Sequence, residues 1–249
     1  MKTAFDQGKG PAVLLIHAFP LNHTMWEPQL ASFTSEFRVV APDVRGFGRS
    51  QPQSPWTMEE AADDINALLD SSGVETCAVA GVSMGGYIAL AFWSKYPQRV
   101  RRLILANTRA RADTETEKTA RNEMIAGLQQ NGTALLPDRM LPRLLRPNAS
   151  QETVQAVRKM IDAVHPSAAI YAVMAMRDRV DFSSAVHRIQ CPTMVVTGSD
   201  DVIISAGEAR ALAGTISGCR FFEVPHSGHL SNLENPEEFN RALLAFLRP

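Results

Sequence analysis

The chain has 249 residues, 45% of them hydrophobic and 20% charged, which is enough apolar material for a large core and too much for a disordered or fibrous protein. A formal net charge of −1 and a pI near 6.6 leave no electrostatic footprint for nucleic acid, and no helical stretch is basic along one face. The composition points to small-molecule chemistry.

The first apolar run, Ala12–His17, reads as a strand; it is too short to span a membrane and is not followed by a cleavage site, so a cytoplasmic protein is expected. Helical periodicity over Trp26–Thr34 follows, then a strand at Arg38–Pro42 and a glycine-rich turn, Asp43–Ser50. That turn matches neither the phosphate-loop pattern nor a dinucleotide fingerprint and is read as structural; no nucleotide, flavin or metal is implied. A helix at Met58–Ser71, a strand at Cys77–Ala80, a helix from Met84 to about Lys95 and a strand at Leu103–Ala106 continue the alternation. It then stops from about Arg109 to Val186, where Thr114 and Glu117 form a capping box for a helix ending near Gly132, and Pro137, Pro142, Pro147 and Pro166 punctuate the rest. Strands at Thr193–Thr197 and Arg220–Val224 and helices at Gly207–Ala213 and Pro236–Leu247 close the chain. The pattern predicts a mostly parallel sheet of about six strands with helices on both faces: a core of residues 1–108 and 187–249, and an all-helical insertion, 109–186, over the carboxyl edge of the sheet. The insertion carries Met124, Met140, Met160, Met174 and Met176, suited to an adaptable apolar lid or to ordinary helix packing. Lysine and arginine outnumber acids 12 to 9 over residues 109–188, which hints at an anionic substrate or reflects solvated arginines. Cys77, Cys191 and Cys219 have no metal or redox spacing and read as reduced thiols.

The chemistry concentrates at Gly81-Val82-Ser83-Met84-Gly85, a serine between two glycines at a strand-to-helix turn. Such a nucleophile elbow lifts the hydroxyl out of the sheet, and a Cβ at either glycine would collide where strand and helix nearly touch. A serine hydroxyl needs a base to take its proton and a carboxylate to orient that base, here in the order Ser, acid, His. Gly198-Ser199-Asp200-Asp201 follows a predicted strand, and the G-x-x-D spacing favours Asp201, leaving Asp200 as a turn or capping residue. Pro225-His226-Ser227-Gly228-His229 follows the last strand, and His229 is preferred over His226. His17, His23, His165 and His187 are read as structural. The oxyanion donors are expected to be the N–H of Met84 and, in the loop His17-Ala18-Phe19-Pro20, that of Phe19. Trp26, Trp56 and Tyr87 read as core aromatics in the first place and as pocket walls in the second; Trp26 and Tyr87, with Met124, Met140 and Arg143 of the insertion, are the candidate substrate contacts.

With the serine elbow, Asp201, His229 and the HAFP loop in order along almost the whole chain, the sequence resembles the α/β-hydrolase superfamily with a helical cap. HAFPLNHTMWEPQL, APDVRGFGRS, RVRRLILANTRA and GHLSNLENPEEF resemble the branch of 3-oxoadipate enol-lactonases, small-ester carboxylesterases and cofactor-free perhydrolases. The resemblance implies the α/β-hydrolase fold and a carboxylesterase acting through an acyl-enzyme on a small-molecule ester, with a lactonase or a triad-retaining ligand sensor as alternatives. Pro20 is what perhydrolase-capable relatives carry, and implies a peracid-forming side activity. Met140-Leu141-Pro142-Arg143 resembles a lactonase cap segment, but Leu144 stands where an aromatic usually follows. Ala18 replaces the usual glycine and would be strained if that position needed a positive φ. Relatives also have more strand before the region of Phe5–Gly10, so an amino-terminally shortened sheet with at most a remnant strand is expected, its uncovered edge offering a surface for a homodimer.

Overall fold

A computed structural model describes residues 2–51 and 54–248. Its strands are β1 (Lys2–Gln7), β2 (Ala12–Ile16), β3 (Arg38–Asp43), β4 (Cys77–Val82), β5 (Val100–Ala106), β6 (Thr193–Gly198) and β7 (Arg220–Val224). They form one seven-stranded sheet in the order β1-β3-β2-β4-β5-β6-β7. The six strands from β2 onward run parallel, as the alternating pattern predicted. β4 and β6 are buried along their whole length, which accounts for their continuous apolar runs.

The amino terminus corrects the expectation of a remnant. β1 is a six-residue strand, antiparallel to β3 from Lys2 opposite Asp43 to Gln7 opposite Val39. The edge of β3 expected to lie open is therefore covered. Gly8 and Gly10, at φ +91° and +107°, turn the chain from β1 into β2 in a conformation that side chains avoid.

Helices α1 (Glu27–Phe33), α2 (Met58–Ser71), α3 (Met84–Lys95), α8 (Ala206–Thr215) and α10 (Pro236–Leu247) belong to the alternating part. The chain passes from β2 outward to β3, then returns across β2 to β4. Since crossovers between parallel strands are right-handed, the reversal puts α1 and α2 on opposite faces; α1 packs with α10, and α2 with α3. The reversal also opens a crevice beyond the carboxyl ends of β2 and β4, the place where open α/β sheets bind ligands.

Between β5 and β6 come α4 (Glu115–Asn131), α5 (Leu136–Leu144), α6 (Gln151–Asp162) and α7 (Pro166–Arg177), with no strand among the described residues of this stretch. The Thr114–Glu117 capping box is formed at the start of α4, and Gly132 ends it at φ +62°. α4 packs on α7 and α5 on α6. A four-residue helix, α9 (Ser231–Glu234), precedes α10. Among the described residues no helix is long and apolar enough to cross a membrane.

Candidate active site

Ser83 sits at the end of β4 with φ +54° and ψ −115°, a backbone conformation costing about 1–3 kcal/mol in a residue with a side chain. Its surroundings impose it: Ser83 N–H donates to the Ala106 carbonyl at 2.9 Å, and its own carbonyl accepts from Thr108 Oγ1 at 2.9 Å and Gly86 N–H at 2.9 Å. A Cβ on Gly81 would come within 2.1 Å of the Gly85 carbonyl, and one on Gly85 within 2.1 Å of the Ile16 carbonyl. Strand, helix and the neighbouring β2 meet here in backbone contact, which only glycine permits.

Three side chains from three strand ends converge. Ser83 Oγ lies 2.8 Å from His229 Nε2, and His229 Nδ1 lies 3.0 and 2.9 Å from the two Asp201 carboxylate oxygens. Asp201 Oδ1 also accepts from the N–H groups of Ile203 and Ile204 at 2.8 and 3.0 Å, and Oδ2 from Asn107 Nδ2 at 2.9 Å. Burial alone would raise the Asp201 pKa, but the His229 charge and the hydrogen bonds from His229, Asn107 and the Ile204 amide hold it below the usual carboxylate value. An ionised Asp201 can only accept, so Nδ1 of His229 must donate and Nε2 is left to accept from the serine hydroxyl. The two residues passed over, Asp200 and His226, are exposed; Asp200 N–H ties the turn to the Ser227 carbonyl at 2.8 Å.

The N–H groups of Phe19 and Met84 have no hydrogen-bond acceptor among the described residues; Phe19 follows β2 and lines the same cleft as Ser83, and Met84 is the first residue of α3, directly after Ser83. The Phe19 loop is fixed from below by His17, whose Nδ1 lies 2.9 Å from the Ala18 carbonyl and whose Nε2 accepts from Val44 N–H at 2.9 Å. Complete burial pushes His17 down to about 4, so it is neutral. Ala18 is absent from the positive-φ residues, so the strain expected of a missing glycine does not arise. The Asp43–Ser50 turn is structural, as read: Asp43 accepts from His23 N–H and Arg49 N–H at 2.9 and 2.8 Å, and Val44 holds His17.

A cleft of about 190 Å³ opens onto Ser83 and His229 and is walled by Phe19, Tyr87, Met124, Met140, Arg143, Leu144 and Met176. Of the candidate substrate contacts, Tyr87, Met124, Met140 and Arg143 line this cleft. Trp26 does not: it is fully buried, its ring 6.3 Å from that of Phe239, because the turn before α1 directs it into the core. Trp56 is buried and does not line this cleft; it borders a separate cavity that Met174 also lines. Charged groups also line the cleft, and most are paired: Arg109 with Glu117 at 2.7 Å, and Arg121 with Asp113 at 3.1 Å. Arg143, exposed at the rim, makes no ion pair among the described residues.

Residues 11–236 match the sequence model of the family described as the alpha/beta hydrolase fold. The chain belongs to that family. Among its relatives is 3-oxoadipate enol-lactonase 1 of Acinetobacter baylyi, 29% identical over 240 residues, which covers 96% of this chain and 89% of that protein. A solved structure of a thermophilic esterase from Thermogutta terrifontis with malate bound superposes with a TM-score of 0.95 at 37% identity, covering 98% of this chain and 92% of the other. The enol-lactonase of Burkholderia xenovorans LB400 superposes with a TM-score of 0.90 at 25% identity, covering 98% and 95%. These likenesses support hydrolase activity.

Two residues of this hydrolase escaped the sequence reading. Asn107, at φ +49° just beyond β5, is fully buried; besides Asp201 it reaches the Gly228 carbonyl at 3.3 Å, and its Oδ1 accepts from Ser231 Oγ at 2.6 Å. A polar Asn-Thr pair ending an apolar strand beside the serine strand was the available signal. Arg179, buried after α7, places its guanidinium 4.2 Å from the Tyr87 ring centroid and donates to Asp113 at 2.7 Å. Nothing in the local sequence announces it.

Proposed function

We propose that this hydrolase is a serine carboxylesterase working through an acyl-enzyme, and that the Ser83–His229–Asp201 chain of hydrogen bonds, with lengths of 2.8 to 3.0 Å, is the observation carrying that reading. In this mechanism His229 Nε2 takes the Ser83 proton as Oγ attacks the ester carbonyl. The Phe19 and Met84 amides hold the developing oxyanion, each donor being worth roughly 10²–10³ in rate. His229 then protonates the departing alcohol oxygen, and a water activated by the same nitrogen releases the acid. Asp201 orients the imidazole and stabilises its cation. The helices α4 to α7 act as a cap that selects the substrate.

A cleft of about 190 Å³ is smaller than the roughly 300–1,000 Å³ typical of sites for drug-sized ligands, which favours small acyl and alcohol groups. Arg143 at its rim supports a second reading, an ester or enol-lactone bearing a carboxylate. Malate in the Thermogutta terrifontis esterase and the two enol-lactonase relatives are consistent with it.

Hydrolysis of p-nitrophenyl acetate, butyrate and octanoate by the wild type and by Ser83→Ala tests the proposal. Turnover in the ordinary enzyme range of about 1–10³ s⁻¹ on the short esters, lost in the variant, is expected. Slow turnover in both would point to a ligand sensor of the same fold.

A further inference from the structure

We propose that Glu234 is a positioning residue that clasps the loop of His229 to the helical wall of the cleft, an inference resting on the assignment of His229 as the base. Its carboxylate is 1% exposed and joins two distant segments. Oε2 accepts from Gly228 N–H at 2.7 Å, one residue before His229, and Oε1 accepts from Arg146 N–H at 3.0 Å, in the link between α5 and α6. A second rung runs beside it, from Leu230 N–H to the Leu144 carbonyl at 3.1 Å. His229 lies between the two rungs on one side, and on the other α5 ends with Arg143 and Leu144, both lining the cleft.

The fit is close. A Cβ on Gly228 would lie 2.9 Å from Glu234 Oε2 and 3.1 Å from Arg146 N, closer than ordinary contact, so a side chain there would press on the clasp. Burial raises the Glu234 carboxyl above its usual range against the pull of the Arg146 and Gly228 amides and of the Arg146 guanidinium, with Asp200 adding repulsion. A buried anion is a costly support for a fold. As a clasp it sets the position of the base and of the substrate wall together, so its loss must move both kcat and KM.

The test compares the wild type, Glu234→Ala and Glu234→Gln in p-nitrophenyl butyrate hydrolysis and in amide hydrogen exchange read by mass spectrometry over residues 142–149 and 225–231. In folded Glu234→Ala, kcat falls on the order of 10- to 100-fold, KM rises severalfold, and both segments exchange faster. Glu234→Gln keeps the length but only one acceptor, falls between the two, and decides the matter if the alanine variant does not fold. Kinetic constants within twofold of wild type, a lower Tm with kcat and KM intact, or unchanged exchange in either segment would overturn the proposal. If the wild type shows no Ser83-dependent turnover, the esterase reading fails and exchange alone decides the clasp: faster exchange in both segments upholds it, and unchanged exchange refutes it.

Discussion

Replacing His17 by glutamine separates a structural histidine from the chemistry beside it. The imidazole is completely buried, with Nδ1 on the Ala18 carbonyl and Nε2 accepting from Val44 N–H. A proton added to Nε2 would set two N–H groups against each other in a site without water's dielectric, and burial holds the folded pKa at about 4 against an ordinary 6.5. The unfolded chain therefore binds the proton more readily than the folded one between those values. The stability contribution is complete above about pH 6.5 and is lost as the pH falls through 4. At about 1.4 kcal/mol per pH unit the difference comes to about 3 kcal/mol. Urea unfolding at half-unit intervals from pH 7 to pH 4 should show the His17→Gln variant less stable than wild type at pH 7, with the two curves converging by about 3 kcal/mol at the acid end. Other carboxylates titrate in both proteins and cancel in the difference. Curves that stay parallel would refute a neutral, buried His17 and with it this account of how the Phe19 loop is held.

Asp201→Asn should lower kcat by about 10⁴-fold, the size of the corresponding change in a worked serine-protease triad, with little change in KM, since the amide can donate where only an acceptor keeps Nε2 free; steady-state kinetics on p-nitrophenyl butyrate decides it. Arg143→Gln should raise KM about tenfold or more for the monoester of a dicarboxylic acid, the worth of a charge-assisted hydrogen bond of about 1.5–3 kcal/mol, and leave KM for a neutral ester of equal size unchanged. Ser83→Gly should be inactive yet more stable by about 1 kcal/mol, because glycine removes the backbone strain at φ +54°, and its urea midpoint should rise.

What the sequence disclosed is what short stretches of chain enforce. Ser83, Asp201 and His229 each follow a strand within one turn, and Gly81, Gly85 and Gly198 announce backbone contact that leaves a physical mark on composition. Arg179 and Glu234 left no such mark, and Asn107 left only a polar residue behind an apolar strand, because each acts through partners far away in sequence: Asp201 for Asn107, Asp113 and Tyr87 for Arg179, Arg146 for Glu234. β1 was underread because its six residues show no clean alternation, and its place is fixed by pairing with β3. For Trp26 the sequence left wall and core both open, and the short helical turn from His23 to Trp26 settles it by placing the ring in the core against Phe239.

The division of labour within the fold explains why one scaffold matches both esterases and enol-lactonases. The groups that carry out the proposed mechanism are anchored to the sheet: Ser83 after β4, Phe19 after β2, Asp201 after β6, His229 after β7, each held by backbone hydrogen bonds or by a buried partner. Those anchors fix reacting distances and so fix the class of reaction. The opposite wall comes from α4, α5 and α7, whose side chains there include Met124, Met140 and Met176, long and adaptable groups that tolerate repacking. Under the proposed mechanism, a change in that wall would alter which acyl group fits. The Glu234 clasp is one of the places where the two halves meet, and through it a substitution in the wall would reach the base.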